Sequence, residues 1–165
     1  MFKKGIILLL VFSVLGFLVR PPVNGGKVSS LYGIRIAHDR IFHTGTDIAL
    51  PTGEPVNSVS WGTVKETGFD ERSGIFVIIS HLPGTESRYL HLDSVNVKEG
   101  QKVNPQTIIG TVGNTGISSG SHLHYEIRLI RVPLPPYILC LPGTLMRNLG
   151  IHSFIDSLVG EKTEG

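Results

Sequence analysis

The sequence predicts a small all-β domain, a mostly antiparallel sheet or sandwich, with an apolar helix at the N-terminus and a short helix near the C-terminus. Three observations carry this. Turn residues punctuate the middle of the chain about every ten positions, and the runs between them alternate or are continuously apolar. None of those runs has an apolar period of 3.6 residues. Twenty glycines and ten prolines in 165 residues favour frequent turns over long helices. Apolar residues make up 41% and charged residues 17%, so the chain can bury a core and is not of disordered composition.

In chain order, residues 1–20 come first. Lys3 and Lys4 precede an apolar run from Gly5 to Val19, the basic-then-apolar pattern of an export signal. As a helix that run spans roughly 22 Å, short of a bilayer core of about 30 Å, which favours a signal peptide. Arg20-Pro21-Pro22 follows instead of a small-residue cleavage site, which favours a retained anchor. Both stay open, and both place the rest of the chain outside the cytoplasm. Residues 21–27 read as a linker and residues 28–131 as the working domain. Its expected strands are 55–60, 62–66, 75–81, 87–92, 107–112 and 122–130. Residues 132–165 form the tail: Pro-rich and extended to about 143, then one amphipathic helix over 144–159 interrupted by Gly150, then a frayed end.

The net charge is +2, but without Lys3, Lys4 and Arg20 it is about −1. No basic patch with interleaved aromatics is present, so nucleic acid is not an expected partner. The one cysteine, Cys140, excludes an internal disulfide and a thiolate zinc site. A metal here must be held by imidazole and carboxylate.

Two segments offer such groups. In His122-Leu123-His124-Tyr125-Glu126-Ile127-Arg128, the histidines, Glu126 and Arg128 alternate with apolar residues. On a strand, both histidines then share one face over an apolar backing. Alternation does not say which of the two would bind a metal. In His43-Thr44-Gly45-Thr46-Asp47, an extended backbone puts His43, Gly45 and Asp47 on one side. Gly45 has no side chain and leaves room there for an ion. A catalytic zinc takes three protein ligands and keeps one position for water. His91 lies in Tyr89-Leu90-His91-Leu92, a candidate strand with Tyr89 and His91 on one face. His38 and His152 carry no motif and are expected at the surface, and His81 is expected to be structural or at a rim. No H-E-x-x-H helix supplies a glutamate base, so a histidine beside the metal is the expected proton acceptor.

These residues resemble the lysostaphin-type (LytM-type) zinc endopeptidases. His43-Thr44-Gly45-Thr46-Asp47 is similar to that family's H-x-x-x-D segment, and Pro51-Thr52-Gly53-Glu54-Pro55-Val56 with Gly62-Thr63-Val64 to the turn and strand after it. Tyr89-Leu90-His91-Leu92 resembles its Y-x-H-L element. Gly113-Asn114-Thr115-Gly116 through His122-Leu123-His124 resembles its closing block. The likeness covers about 100 residues in matching order. Ser119 stands where threonine is frequent, which keeps a hydroxyl. Trp61 stands where a polar residue is common and is expected at the surface or the groove rim.

The resemblance implies a small antiparallel domain with the site in a groove. It implies one zinc ion held by His43, Asp47 and His124, with His122 and His91 beside it as catalytic residues and His122 favoured as the base. It also implies hydrolysis of peptide bonds in peptidoglycan stem peptides or crossbridges. Two other functions remain in view: a non-enzymatic relative that binds wall or activates another hydrolase, and a zinc peptidase acting on proteins or free peptides. The first of these typically lacks one of the five positions, all of which are filled here.

Overall fold

A computed structural model describes residues 20–34, 42–81, 84–129 and 131–134. Every strand pairing among them is antiparallel. The main sheet has ten strands. Its continuous order is β1 (Lys27–Ser30), β4 (Thr46–Ala49), β11 (His122–Leu129), β8 (Thr85–Val95), β7 (Gly74–Ser80), β6 (Gly62–Asp70) and β9 (Lys102–Val103). β10 (Ile108–Val112) pairs with the far half of β8 and with β5 (Pro55–Asn57), and β12 (Val132–Leu134) extends β11. β2 (Gly33–Ile34) and β3 (Phe42–His43) form a separate two-stranded ribbon.

The long strands sit where the sequence puts β-branched and aromatic residues between turns. β7, GIFVIIS, is apolar from Ile75 to Ile79 and buries Val77, Ile78 and Ile79. β11 buries Leu123, Tyr125 and Ile127 on one face, as its alternation predicts. These join Val56, Val59, Val64, Tyr89, Leu92, Val103, Ile109 and Val112 in a single core cluster. A buried hydrogen-bond chain crosses that cluster. The Val59 amide donates to the Tyr89 hydroxyl (2.9 Å), which pairs with Ser87 Oγ (3.0 Å), and Ser87 pairs with His81 Nε2 (2.7 Å). His81 Nδ1–H donates to the Trp61 carbonyl at 2.8 Å, so both ring nitrogens are committed to the fold. Burial holds His81 below the usual imidazole range. The expected structural role of His81 fits this, and Trp61 is exposed.

Two expectations change. Residues 21–27 were expected as a linker, but Val23 joins the core, and Pro22 accepts a 2.7 Å hydrogen bond from the Asn57 amide. The packed domain therefore begins before residue 28. The alternation reading also put Tyr89 and His91 on one face, and the structure separates them. β8 pairs Tyr89 with Val77 but Leu92 with Ile75, so three steps on β8 match two on β7. This bulge is centred on His91, whose φ is 63°. Tyr89 and Leu92 stay in the core while His91 turns to the opposite face. The helices expected at both termini, together with His38, Cys140 and His152, lie outside the described residues.

Candidate metal centre

β4 and β11 are neighbours, and Asp47 lies directly across from His124. Directly opposed residues point the same way with Cβ atoms about 5 Å apart. β3 delivers His43 to the same place. His43 Nε2 is 3.1 Å from Asp47 Oδ1 and 3.0 Å from His124 Nδ1, and His124 Nδ1 is 2.7 Å from Asp47 Oδ1. All three residues are buried. Among the described residues they are the group of imidazoles and carboxylates that could hold a metal ion.

The chemistry of the donor set fits a cation. His43 Nδ1 faces the Leu31 carbonyl at 2.8 Å, and His124 Nε2 faces Glu126 Oε1 at 3.1 Å. Both partners are acceptors, so both outward nitrogens carry the ring proton. In neutral rings, lone pairs then remain at His43 Nε2 and His124 Nδ1, and both converge with a carboxylate oxygen. Three acceptors at this spacing repel unless something positive sits among them. Imidazole nitrogen with carboxylate oxygen is a zinc-type donor set. Without a metal, protonation answers the same need. Burial would lower His124, but hydrogen bonds to Asp47 and Glu126 outweigh it and raise its pKa. Burial would likewise raise Asp47, yet the bonds from His124 and His43 hold its carboxyl well below the usual range.

Two more histidines flank the group. His122, half-buried, donates Nδ1–H to the Gly120 carbonyl at 2.7 Å and turns Nε2 towards Asp47 Oδ1, 3.8 Å away. His91 donates Nδ1–H to the Thr115 carbonyl at 2.8 Å, and its amide donates to Ser73 O at 2.9 Å. Its ring lies 4.9 Å from that of His122 and 5.9 Å from that of His124, centroid to centroid. Burial and the neighbouring histidines lower the His91 pKa against the bond to Thr115. The left-handed backbone at His91 costs of order 1–3 kcal/mol, a strain that concentrates at functional positions. Thus the five histidine and aspartate positions singled out in the sequence come together, while His81 stands apart in the core.

The expected reason for Gly45 is corrected. A Cβ there would lie 2.5 Å from the Tyr125 carbonyl oxygen, 2.7 Å from His124 Nε2 and 3.0 Å from Glu126 Cγ. The missing side chain makes room for the outer edge of the His124 ring and not for an ion. Gly45→Ala is expected to lower stability by about 1–3 kcal/mol and to weaken metal binding, read by thermal unfolding and metal titration. Gly120→Ala, whose added Cβ meets nothing within 4 Å, is the control and should leave both unchanged.

Sequence reasoning assigned no role to Glu126. It is buried, accepts from Thr44 Oγ1, and takes a 2.7 Å bond from Arg128 Nε. Burial would raise its carboxyl, but hydrogen bonds from His124, Arg128 and Thr44 hold it at about 2. Its signal was present in the alternation, which puts it two residues beyond His124 on the same face.

The sequence profile of peptidase family M23 matches residues 41–136, more than half of the chain and all of the site. The chain belongs to peptidase family M23. The peptidoglycan DD-endopeptidase ShyA of Vibrio cholerae is 46% identical to this M23 chain over 85 residues, 52% of this chain and 20% of the relative. The chain spans less than a third of the length of the curated relatives it matches first, about 30% of each. A zinc-containing peptidase from Vibrio cholerae has a crystal structure that superposes with a TM-score of 0.69 at 31% identity, covering 76% of this chain and 40% of the other. The catalytic domain of lysostaphin from Staphylococcus simulans superposes with a TM-score of 0.63 at 28% identity, covering 68% of this chain and 90% of that domain. The M23 fold is therefore the all-β antiparallel arrangement expected from the sequence.

Proposed function

We propose that this chain is a zinc endopeptidase that hydrolyses peptide bonds in peptidoglycan, working outside the cytoplasm. Its one zinc ion would be held by His43 Nε2, Asp47 Oδ1 and His124 Nδ1. The observation that carries the reading is the convergence of these three acceptors beside two anchored histidines. Membership of M23 and the likeness to ShyA support peptidoglycan as the substrate, and favour a bond between two D-configured residues. The basic and apolar residues of 1–20 support export or anchoring at the inner membrane.

When bound, zinc supplies Lewis acidity, polarising a scissile carbonyl and making a water acidic near neutral pH. The rest falls to the chain. His122 Nε2, its other nitrogen held by Gly120, faces the site and takes the proton from the attacking water. His122 then passes that proton to the leaving amine, and His91, held by Thr115 and Ser73, steadies the developing oxyanion when its Nε2 carries a second ring proton. Asp47, ionised between the two ligand histidines, offsets the charge of the metal.

Digestion of purified sacculi by the full chain, with released fragments identified by mass spectrometry, tests this. Peptide-bond cleavage should appear, vanish after chelation and return with zinc. Intact sacculi bound by a metal-free chain would favour the wall-binding or hydrolase-activating alternative. Cleavage of free peptides but not of sacculi would favour a peptidase of other substrates.

A further inference from the structure

All four histidines of the site donate one ring N–H outward, but not to the same kind of partner. His43, His91 and His122 each use Nδ1 to reach a backbone carbonyl, of Leu31, Thr115 and Gly120 respectively. His124 uses Nε2 and reaches a side chain, the Glu126 carboxylate. His124 is also the one that turns Nδ1 inward. A backbone carbonyl is fixed by the fold, whereas a carboxylate must be held in place. Glu126 is held from both oxygens: Oε1 also accepts from the Thr44 hydroxyl, and Oε2 accepts from Arg128 Nε and lies 2.7 Å from its NH2 group. Every partner is a donor, so the carboxylate has one geometry in which all are satisfied. Thr44 lies next to His43, so the same carboxylate ties both ligand segments together.

We propose that Glu126, locked by Thr44 and Arg128, is a positioning residue that fixes the tautomer and angle of the His124 ring, so that Nδ1 faces His43 and Asp47. It touches neither substrate nor metal. The inference rests on the zinc reading above and adds to it a reason for the choice of nitrogen. Outer partners of metal-ligating histidines typically carry 10–100-fold in metal affinity.

The test is zinc affinity of the full chain by chelator competition, at a temperature where circular dichroism shows each variant folded. Glu126→Ala removes the acceptor and should weaken zinc binding by about 10–100-fold. Glu126→Gln keeps a carbonyl acceptor and should recover most of that loss, which a purely structural contribution would not predict. NMR of the ring nitrogens in the zinc-loaded parent chain needs no variant, and should place the His124 proton on Nε2. A folded Glu126→Ala that binds zinc as tightly as the parent would overturn the proposal, as would a His124 proton on Nδ1. If the parent itself binds no zinc, the metal reading fails instead, so the two failures are distinguishable.

Discussion

Asp47→Ala and His124→Ala are each expected to lose zinc and hydrolysis together. Asp47 Oδ1 is within 3.1 Å of both ligand nitrogens, and no other carboxylate in the donor set offsets the metal charge. Removing it leaves two imidazoles to hold a dication, and removing His124 leaves one imidazole and one carboxylate. Either loss should exceed the roughly 10–100-fold that outer partners command, so stoichiometric zinc should not survive dialysis. Both side chains are buried, and Asp47→Ala also strips His124 of a hydrogen-bond partner, so unfolding must be followed alongside. Metal content by mass spectrometry and turnover on purified sacculi check the outcome. A His124→Ala chain that kept one zinc would move the ligand set to His122.

His122→Ala should behave in the opposite way, keeping its zinc while losing most turnover. His122 Nε2 stands 3.8 Å from Asp47 Oδ1, outside the tight triangle of the other three atoms. General acid–base help from one positioned side chain is typically worth about 10²–10⁴-fold, and that is the expected fall in kcat, with KM little changed. His91→Ala should show a loss of the same order. Because the two rings are in contact, the double variant should lose less than the product of the single losses. Full activity in His122→Ala would remove it from proton transfer and leave His91 as the base.

Much of this arrangement was legible from residue pattern. The alternation of 122–128 puts its polar and apolar faces where β11 has them, because a strand buried on one face must repeat every second residue. His43 and Asp47 share a side, as expected of an extended segment. The rest was hidden for physical reasons. β8 alternates cleanly up to Tyr89, and nothing in Tyr89-Leu90-His91-Leu92 signals a bulge, since a left-handed histidine is set by its partners at Ser73 and Thr115. β2, β3 and β9 are two residues long, too short for any period. Pro22 and Val23 look like a linker because the bond from the Asn57 amide to Pro22 and the packing of Val23 into the core are tertiary contacts. Gly45 was singled out for the wrong neighbour, because its close contacts come from residues about 80 positions along the chain.

Among the described residues β11 is the last long strand, yet it occupies the middle of the sheet, between β4 and β8. A chain emerging from the ribosome, or threading through an export channel N-terminus first, carries His43, Asp47 and His91 long before it carries His122 and His124. During that interval the central slot is open, and the chain lacks one residue of the proposed ligand set and the proposed base. On the proposed function, a chain built in this order stays inert until that central strand arrives. Topology alone would then couple the proposed activity to the arrival of β11.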